Sequence, residues 1–113
     1  MHIYERTVGD VTILDVQGRI TLGEGDELLK DKINSLLYQE KKKVLLDMGS
    51  CHHVDPAGLG EIVRSYSALT RHGGKIKFVF VTRPVRDLFV ITKLDSIFES
   101  FDDEAEALAS FNK

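Results

Sequence analysis

The chain is poor in cysteine, proline and tryptophan: its 113 residues include one cysteine, two prolines and no tryptophan. The single Cys51 excludes an internal disulfide and any redox or zinc motif built on paired cysteines. The scarcity of proline, together with 29% charged residues, argues against a disordered or fibrous chain. The class that remains is a folded domain held together by a hydrophobic core.

The chain also lacks a long hydrophobic run and an excess of basic residues. The longest apolar run, Ile76 to Val81, is interrupted by Lys77 and is too short to cross a bilayer. The first ten residues mix His2, Glu5 and Arg6 with apolar positions, which is not the pattern of a signal peptide. A net charge of −3 disfavours nucleic acid and anionic membranes as partners. We therefore expect a cytoplasmic protein that neither binds nucleic acid nor inserts into a membrane.

The length sets the size of the core. A folded chain of this mass exposes roughly 6,200 Å², against about 18,400 Å² when unfolded. With 42% hydrophobic residues, such a chain can form a core without metal or disulfide crosslinks. We expect one domain over residues 1–113.

The order of the predicted elements indicates the fold class. A β-branched strand over Val11–Gln17 pairs with Ile3–Val8 across the Gly9–Asp10 turn, and a stripe of leucine and isoleucine predicts a helix over 23–40. The later elements are a buried strand at Val44–Met48, a helix from Leu59 to Leu69 closed by Gly73–Gly74, a buried strand at Ile76–Val81, a helix opened by Pro84, a short strand at Ile97–Phe98, and a last helix started by Asp103 with Glu106. Alternating strands and helices predict an α/β fold with a mixed sheet of four to five strands and about four helices.

One segment has the residue types of a metal site, Cys51 to His53. Ligands from a single extended segment do not close a tetrahedral zinc site, and the other histidines, His2 and His72, form no second pair of ligands. We therefore interpret the segment as a partly exposed loop at the end of a strand, without a metal.

Catalytic and cofactor motifs are absent as well. The sequence has no GxSxG elbow, no phosphate-binding GxxxxGK[ST] loop and no HExxH. The Gly23–Glu24–Gly25 run lacks the rest of a dinucleotide-binding pattern, and its glutamate suits a helix start. We expect no cofactor and no enzymatic activity.

The most informative segment runs from Asp55 to Gly60. Asp55 can cap a helix that begins at Pro56, because its carboxylate accepts unpaired backbone N–H groups and proline lacks the N–H that would remain unpaired. Gly58 and Gly60 then weaken the first turns by about 1 kcal/mol each. Such a local conflict marks a place where the backbone approaches something closely. Two interpretations stay open: packing of this turn against its own sheet, and docking of a partner.

With these residues in view, the chain resembles the STAS domain of the anti-sigma factor antagonist family. The matching segments cover almost the whole chain and are Val16–Ile20, Val44–Met48, Val54–Gly60 with its D-x-x-G-L-G pattern, Arg71–Ile76, Val85–Leu94 and Asp103–Leu108. The resemblance implies a small α/β fold with a mixed sheet, in agreement with the order of the elements.

The resemblance also implies a partner and a switch. In the family, a serine that directly follows the aspartate is phosphorylated by a serine kinase that is itself the anti-sigma factor. A phosphate adds nearly two negative charges at a helix start, which the helix tolerates and a complementary partner surface does not. This sequence has Pro56 at the serine position, and Ala57 supplies no hydroxyl either. Of the nearby hydroxyls, Ser50 and Ser65 lie too far along the chain to replace it.

Three hypotheses follow from this departure, and the third, an uncharacterised enzyme or nucleotide binder, is disfavoured by the lack of catalytic groups. In the first, the chain docks an anti-sigma factor kinase through a partner-binding segment and is not switched by phosphorylation there. The residues of that segment are Asp55, Pro56, Ala57, Gly58, Leu59 and Gly60. In the second, it is a STAS adaptor subunit of another assembly, such as a signalling scaffold or a lipid-transport accessory. A homodimer is left open. A second departure, Lys93 where the family usually has glycine, is interpreted as a minor surface change.

Overall fold

A computed structural model describes residues 1–112, which form one five-stranded sheet and four α-helices. The elements in chain order are β1 His2–Val8, β2 Val11–Ile20, α1 Gly25–Tyr38, β3 Lys43–Val54, α2 Pro56–Arg71, β4 Lys75–Val79, α3 Arg83–Ile91, a short 3-10 helix Leu94–Ser96, β5 Ser100–Phe101 and α4 Glu104–Ser110. The predicted α/β class, the mixed sheet and the number of helices are confirmed. The exposed surface of 6195 Å² matches the value expected from the mass.

The strands follow one another across the sheet in the order β1-β2-β3-β4-β5. β1 and β2 are antiparallel and joined by a two-residue turn at Gly9–Asp10, whereas β2 to β5 run parallel. The parallel strands need helical crossovers, which α1, α2 and α3 supply. α1 begins after the end of β2, and α2 begins after the end of the neighbouring β3. The two helix starts therefore lie close together at the carboxyl ends of these strands.

The two faces of the sheet are covered unequally. The larger core cluster joins the sheet to α1, α2 and α3 and includes an aromatic group of Phe78, Phe89 and Phe98. The smaller cluster lies under α4, the shortest of the four helices, where Phe111 packs near Leu45. Much of the second face therefore has no helix over it.

β2 and β3 continue farther than the sequence predicted. β2 extends to Ile20 and β3 to Val54, because the ends of the two strands stay paired through two register shifts that each add one residue to β3. The interpretation of Cys51 to His53 as a loop is therefore wrong, although His52 and His53 are exposed as expected. These residues lie in β3, and the Cys51 side chain is fully buried.

Two shorter predicted strands are also corrected. β4 ends at Val79 rather than Val81, because Phe80 adopts a left-handed backbone with φ of 58°. The strand expected at Ile97–Phe98 lies three residues later, as β5. Phe98 instead packs into the aromatic group of the core, so its side chain serves the core rather than the sheet edge.

Candidate functional site

The Asp55 carboxylate caps α2 as the sequence predicted. Asp55 has an extended backbone, Pro56 is the first helical residue, and Asp55 Oδ1 accepts a hydrogen bond from the Gly58 N–H at 2.7 Å. The Asp55 carbonyl oxygen accepts from the Leu59 N–H at 2.8 Å. The first turn of α2 is thereby fixed by hydrogen bonds within the chain.

Asp55 also joins this turn to the end of β2. Its Oδ2 accepts from the backbone N–H of Leu22 at 3.0 Å, and its own N–H donates to the Ile20 carbonyl at 3.2 Å. The hydrogen bonds that the carboxylate accepts from Gly58 and then Leu22 favour its ionised form and hold the pKa of Asp55 below its ordinary value. One side chain therefore sets the relative position of the β2–α1 loop and the N-terminus of α2.

The two glycines of the segment have different surroundings. A Cβ on Gly58 would overlap the Ile20 carbonyl oxygen and would lie 2.8 Å from the Ile20 carbonyl carbon, so this glycine is needed for contact with the chain's own sheet. A Cβ on Gly60 would meet only the guanidinium of Arg64, at 3.4 Å or more. The interpretation of close packing thus holds for Gly58, and Gly60 leaves a bare surface on the side of Arg64.

The other residues of Asp55–Gly60 differ in their exposure to solvent. Pro56 is exposed, whereas Ala57, Leu59 and Gly60 are half-buried. Leu59 also packs against the larger core cluster, so the freely accessible part of the turn is centred on Pro56.

The hydroxyl of Ser65 is not accessible on the surface of α2. Ser65 is 1% exposed, and its Oγ donates to Glu61 Oε2 at 3.3 Å. Glu61 is itself buried and also accepts from Arg64 Nε at 3.2 Å. Ser50 is exposed, but it lies on β3 opposite Gln17 rather than on α2.

Sequence reasoning missed Leu22 as a member of this region. Its side chain is 75% exposed, and its backbone is hydrogen-bonded to the Asp55 carboxylate. An apolar residue outside any helical stripe, between β2 and the glycine run at Gly23–Gly25, was the available signal. A single exposed leucine is ordinary on a protein surface, so Leu22 belongs to this region through its backbone hydrogen bond to Asp55 rather than through its side chain.

The segment Cys51 to His53, interpreted from the sequence as having no metal, also lies near the carboxyl ends of the strands. His52 and His53 are exposed on β3, while burial raises the pKa of the Cys51 thiol. Within residues 1–112 no group of three or more His, Cys, Asp and Glu side chains is arranged to hold a metal ion. None of the helices in that part of the chain is long and apolar enough to span a membrane.

Comparison with known protein families identifies the fold family. The model of the STAS domain family matches residues 3–107. The chain therefore belongs to the STAS domain family, in agreement with the resemblance seen in the sequence.

Solved structures have the same fold over nearly the whole chain. TM1081 from Thermotoga maritima, named as a candidate anti-sigma factor antagonist, superimposes with a TM-score of 0.86 at 23% identity, over 98% of this chain and 95% of that one. An anti-sigma factor antagonist from Mycobacterium paratuberculosis gives a TM-score of 0.85 at 17% identity, over 99% and 94%. The phosphorylated form of SpoIIAA from Bacillus gives 0.76 at 15% identity, over 96% and 98%.

Proposed function

We propose that this chain is a non-enzymatic, cytoplasmic anti-sigma factor antagonist that docks a serine-kinase anti-sigma factor through Asp55–Gly60. By holding the anti-sigma factor, it frees a sigma factor for transcription. It is not switched by phosphorylation of the docking segment.

The observation that carries the proposal is the exposed Pro56 on a turn already fixed by Asp55. The carboxylate of Asp55 makes its two hydrogen bonds within the chain, so a partner meets a turn that needs no ordering. Gly60, one turn farther along α2, adds no side chain to the surface. The names of the similar proteins, anti-sigma factor antagonists, support the same kind of partner.

The absence of a switch follows from the chemistry of the accessible residue. A kinase transfers phosphate to a hydroxyl, and neither Pro56 nor Ala57 has one. The nearest helical hydroxyl, Ser65, is buried against Glu61. A docked kinase therefore has no acceptor in the segment, and the complex persists in the presence of ATP.

The test uses each serine-kinase anti-sigma factor encoded in the source genome, purified and mixed with this protein. Binding is measured by calorimetry, and phosphate transfer by intact mass after incubation with ATP. The wild-type protein is expected to bind one kinase without gaining the mass of a phosphate. Pro56→Ser is expected to bind and gain it, while the matched control Pro56→Ala binds without gaining it.

Two results would contradict the proposal. One is phosphate found on the wild-type segment, which would show that the switch is present. The other is lack of binding to every kinase tested, which would remove the partner.

The alternative function is that of a STAS adaptor in another assembly, and the same Pro56 favours it. A STAS domain without a hydroxyl to phosphorylate in this segment suits a subunit that stays bound permanently. The two functions are separated by the proteins that co-purify with the chain from its own cells. Scaffold or transport components without a kinase would favour the adaptor.

A further inference from the structure

We propose that two copies of this chain associate through β1, which pairs antiparallel with β1 of the second copy about a two-fold axis at Glu5. The product is one continuous ten-stranded sheet. This inference concerns the sheet edge and does not depend on the partner assigned to Asp55–Gly60.

The two edges of the sheet differ in length. β5, at one edge, has two residues, and so short an edge gives a second strand little to pair with. β1, at the other edge, has seven residues, all paired with β2 without a register shift, and contains no proline. An edge strand that is long, regular and free of proline offers a template for another strand.

The hairpin turn determines which backbone groups of β1 face outward. Gly9 has a φ of 61° and Asp10 has no positive φ, the pattern of a two-residue type II′ turn, in which the flanking residues Val8 and Val11 are hydrogen-bonded to each other. Hydrogen-bonded and non-bonded pairs then alternate along the ladder. Ile3, Glu5 and Thr7 therefore direct their N–H and C=O groups away from β2.

The charges of β1 do not protect this edge, because both are bound within the molecule. Glu5 lies 3.4 Å from Lys32 Nζ and 3.8 Å from Lys41 Nζ, on the side of α1. Arg6 forms an ion pair with Glu104 of α4, on the opposite face. These ion pairs reduce the repulsion that the two charges of β1 would exert on a second strand.

The position of the two-fold axis determines which residues of the two β1 strands lie opposite each other. A two-fold axis normal to the sheet keeps each residue on its own face, so residues opposite one another have numbers whose sum is even. An axis at Glu5 pairs all seven residues of β1 and puts Tyr4 opposite Arg6 of the second copy, a favourable aromatic–cation pair. Axes at Tyr4 or Arg6 pair only five residues and so form fewer backbone hydrogen bonds between the two copies.

The axis at Glu5 does place two glutamates opposite each other. Each carries its own pair of lysines, Lys32 and Lys41, so four positive groups accompany two negative ones. The like-charge repulsion that opposes such a pair is thereby offset.

The first test measures molar mass by light scattering and the dimer dissociation constant by analytical ultracentrifugation. The wild-type protein is expected to reach twice its 12.7 kDa as its concentration rises. Thr7→Pro removes an outward N–H and leaves the pairing with β2 intact, so we expect a dissociation constant about tenfold higher or more. The matched control Thr7→Val keeps the N–H and the dimer. Circular dichroism establishes that both variants are folded.

The second test locates the axis by disulfide formation under mild oxidation. Two cysteines at position 5 would have Cα atoms about 5.5 Å apart, within the range of a disulfide, so Glu5→Cys forms a covalent dimer. Two cysteines at position 7 would be separated by four residues along the strand, about 13 Å, so Thr7→Cys does not. Cys51 is buried and takes no part.

Three results would overturn the inference. They are a monomer at every concentration, a dimer that Thr7→Pro leaves unchanged, and crosslinking of Thr7→Cys as efficient as that of Glu5→Cys.

Discussion

The Asp55 carboxylate holds the backbone of Leu22, 33 residues earlier in the chain, through a hydrogen bond of 3.0 Å to Oδ2. Its other oxygen caps α2 by accepting from the Gly58 N–H at 2.7 Å. The side chain thus caps α2 and also links the β2–α1 loop to the start of α2, at the carboxyl ends of the strands. The shape of the proposed docking surface depends on both hydrogen bonds.

Removing the charge of Asp55 tests this double role and its pH dependence. Both hydrogen bonds lower the pKa of Asp55, so its stabilising effect is complete above the unfolded pKa of about 3.9 and is lost as the pH falls through the lower folded value. At pH 7 we expect the thermal midpoint to fall from wild type to Asp55→Asn and further to Asp55→Ala. Asparagine keeps a cap, and alanine keeps neither hydrogen bond. The differences from wild type should shrink in melts below pH 4, and pH-independent differences would contradict this explanation.

Alanine at the two glycines of α2 should change stability in opposite directions. Gly58→Ala forces a Cβ into the Ile20 carbonyl group, and we expect a loss of at least about 2 kcal/mol. Gly60→Ala meets only the movable Arg64 guanidinium and improves helix propensity, so we expect a gain of about 0.5–1 kcal/mol. Urea unfolding at pH 7 measures both. If Gly58→Ala unfolded like wild type, the close approach to Ile20 would be disproved.

The proposed docking role makes a separate prediction for Gly60. If the bare surface at Gly60 contacts the kinase, Gly60→Ala should bind it more weakly although the variant is the more stable protein. Calorimetry with the kinase that binds wild type measures the loss. Ala68→Gly on the same helix is the control for a change in helix stability alone. Unchanged affinity of Gly60→Ala would exclude Gly60 from the interface.

The sequence was sufficient for the order of the elements, the Asp55 cap and the conflict at the two glycines, because all three depend on local residue chemistry. It was not sufficient for the length of β3. The pairing of Ile20 with Val54 depends on two register shifts, which arise from the neighbouring strand and leave no local pattern. Leu22 was missed for a similar reason. Its place in the site comes from a contact with Asp55 across 33 residues of chain.

We expect Lys93 to cost more stability than its interpretation as a minor surface change suggested. It follows α3 with φ of 62° and ψ of 21°, a left-handed conformation that is strained for a residue with a Cβ and suits glycine. We expect Lys93→Gly to raise the free energy of unfolding by about 0.5–1 kcal/mol after the entropy of the unfolded glycine is deducted. The control Lys93→Ala removes the charge but keeps the Cβ, and should give no gain. Denaturant unfolding compares the two, and equal effects would show that charge rather than backbone strain is responsible.

Asp47 should reduce stability at neutral pH. It pairs in register with Asp15 on the neighbouring strand, and its Oδ1 accepts from the Gly49 N–H at 3.0 Å. Burial is the main cause that raises the pKa of Asp47, with the Asp15 carboxylate adding to it. A carboxyl with a raised folded pKa binds protons more tightly in the folded state, so its ionisation costs stability as the pH rises, and the cost disappears below the unfolded pKa.

Asp47→Asn keeps the acceptor for Gly49 and removes the charge, so we expect a higher thermal midpoint than wild type at pH 7 and no difference below about pH 4. Asp31→Asn, at an exposed position of α1, is the control for the general effect of one fewer negative charge. A gain no larger than that of the control would mean that the buried surroundings of Asp47 carry no energetic cost.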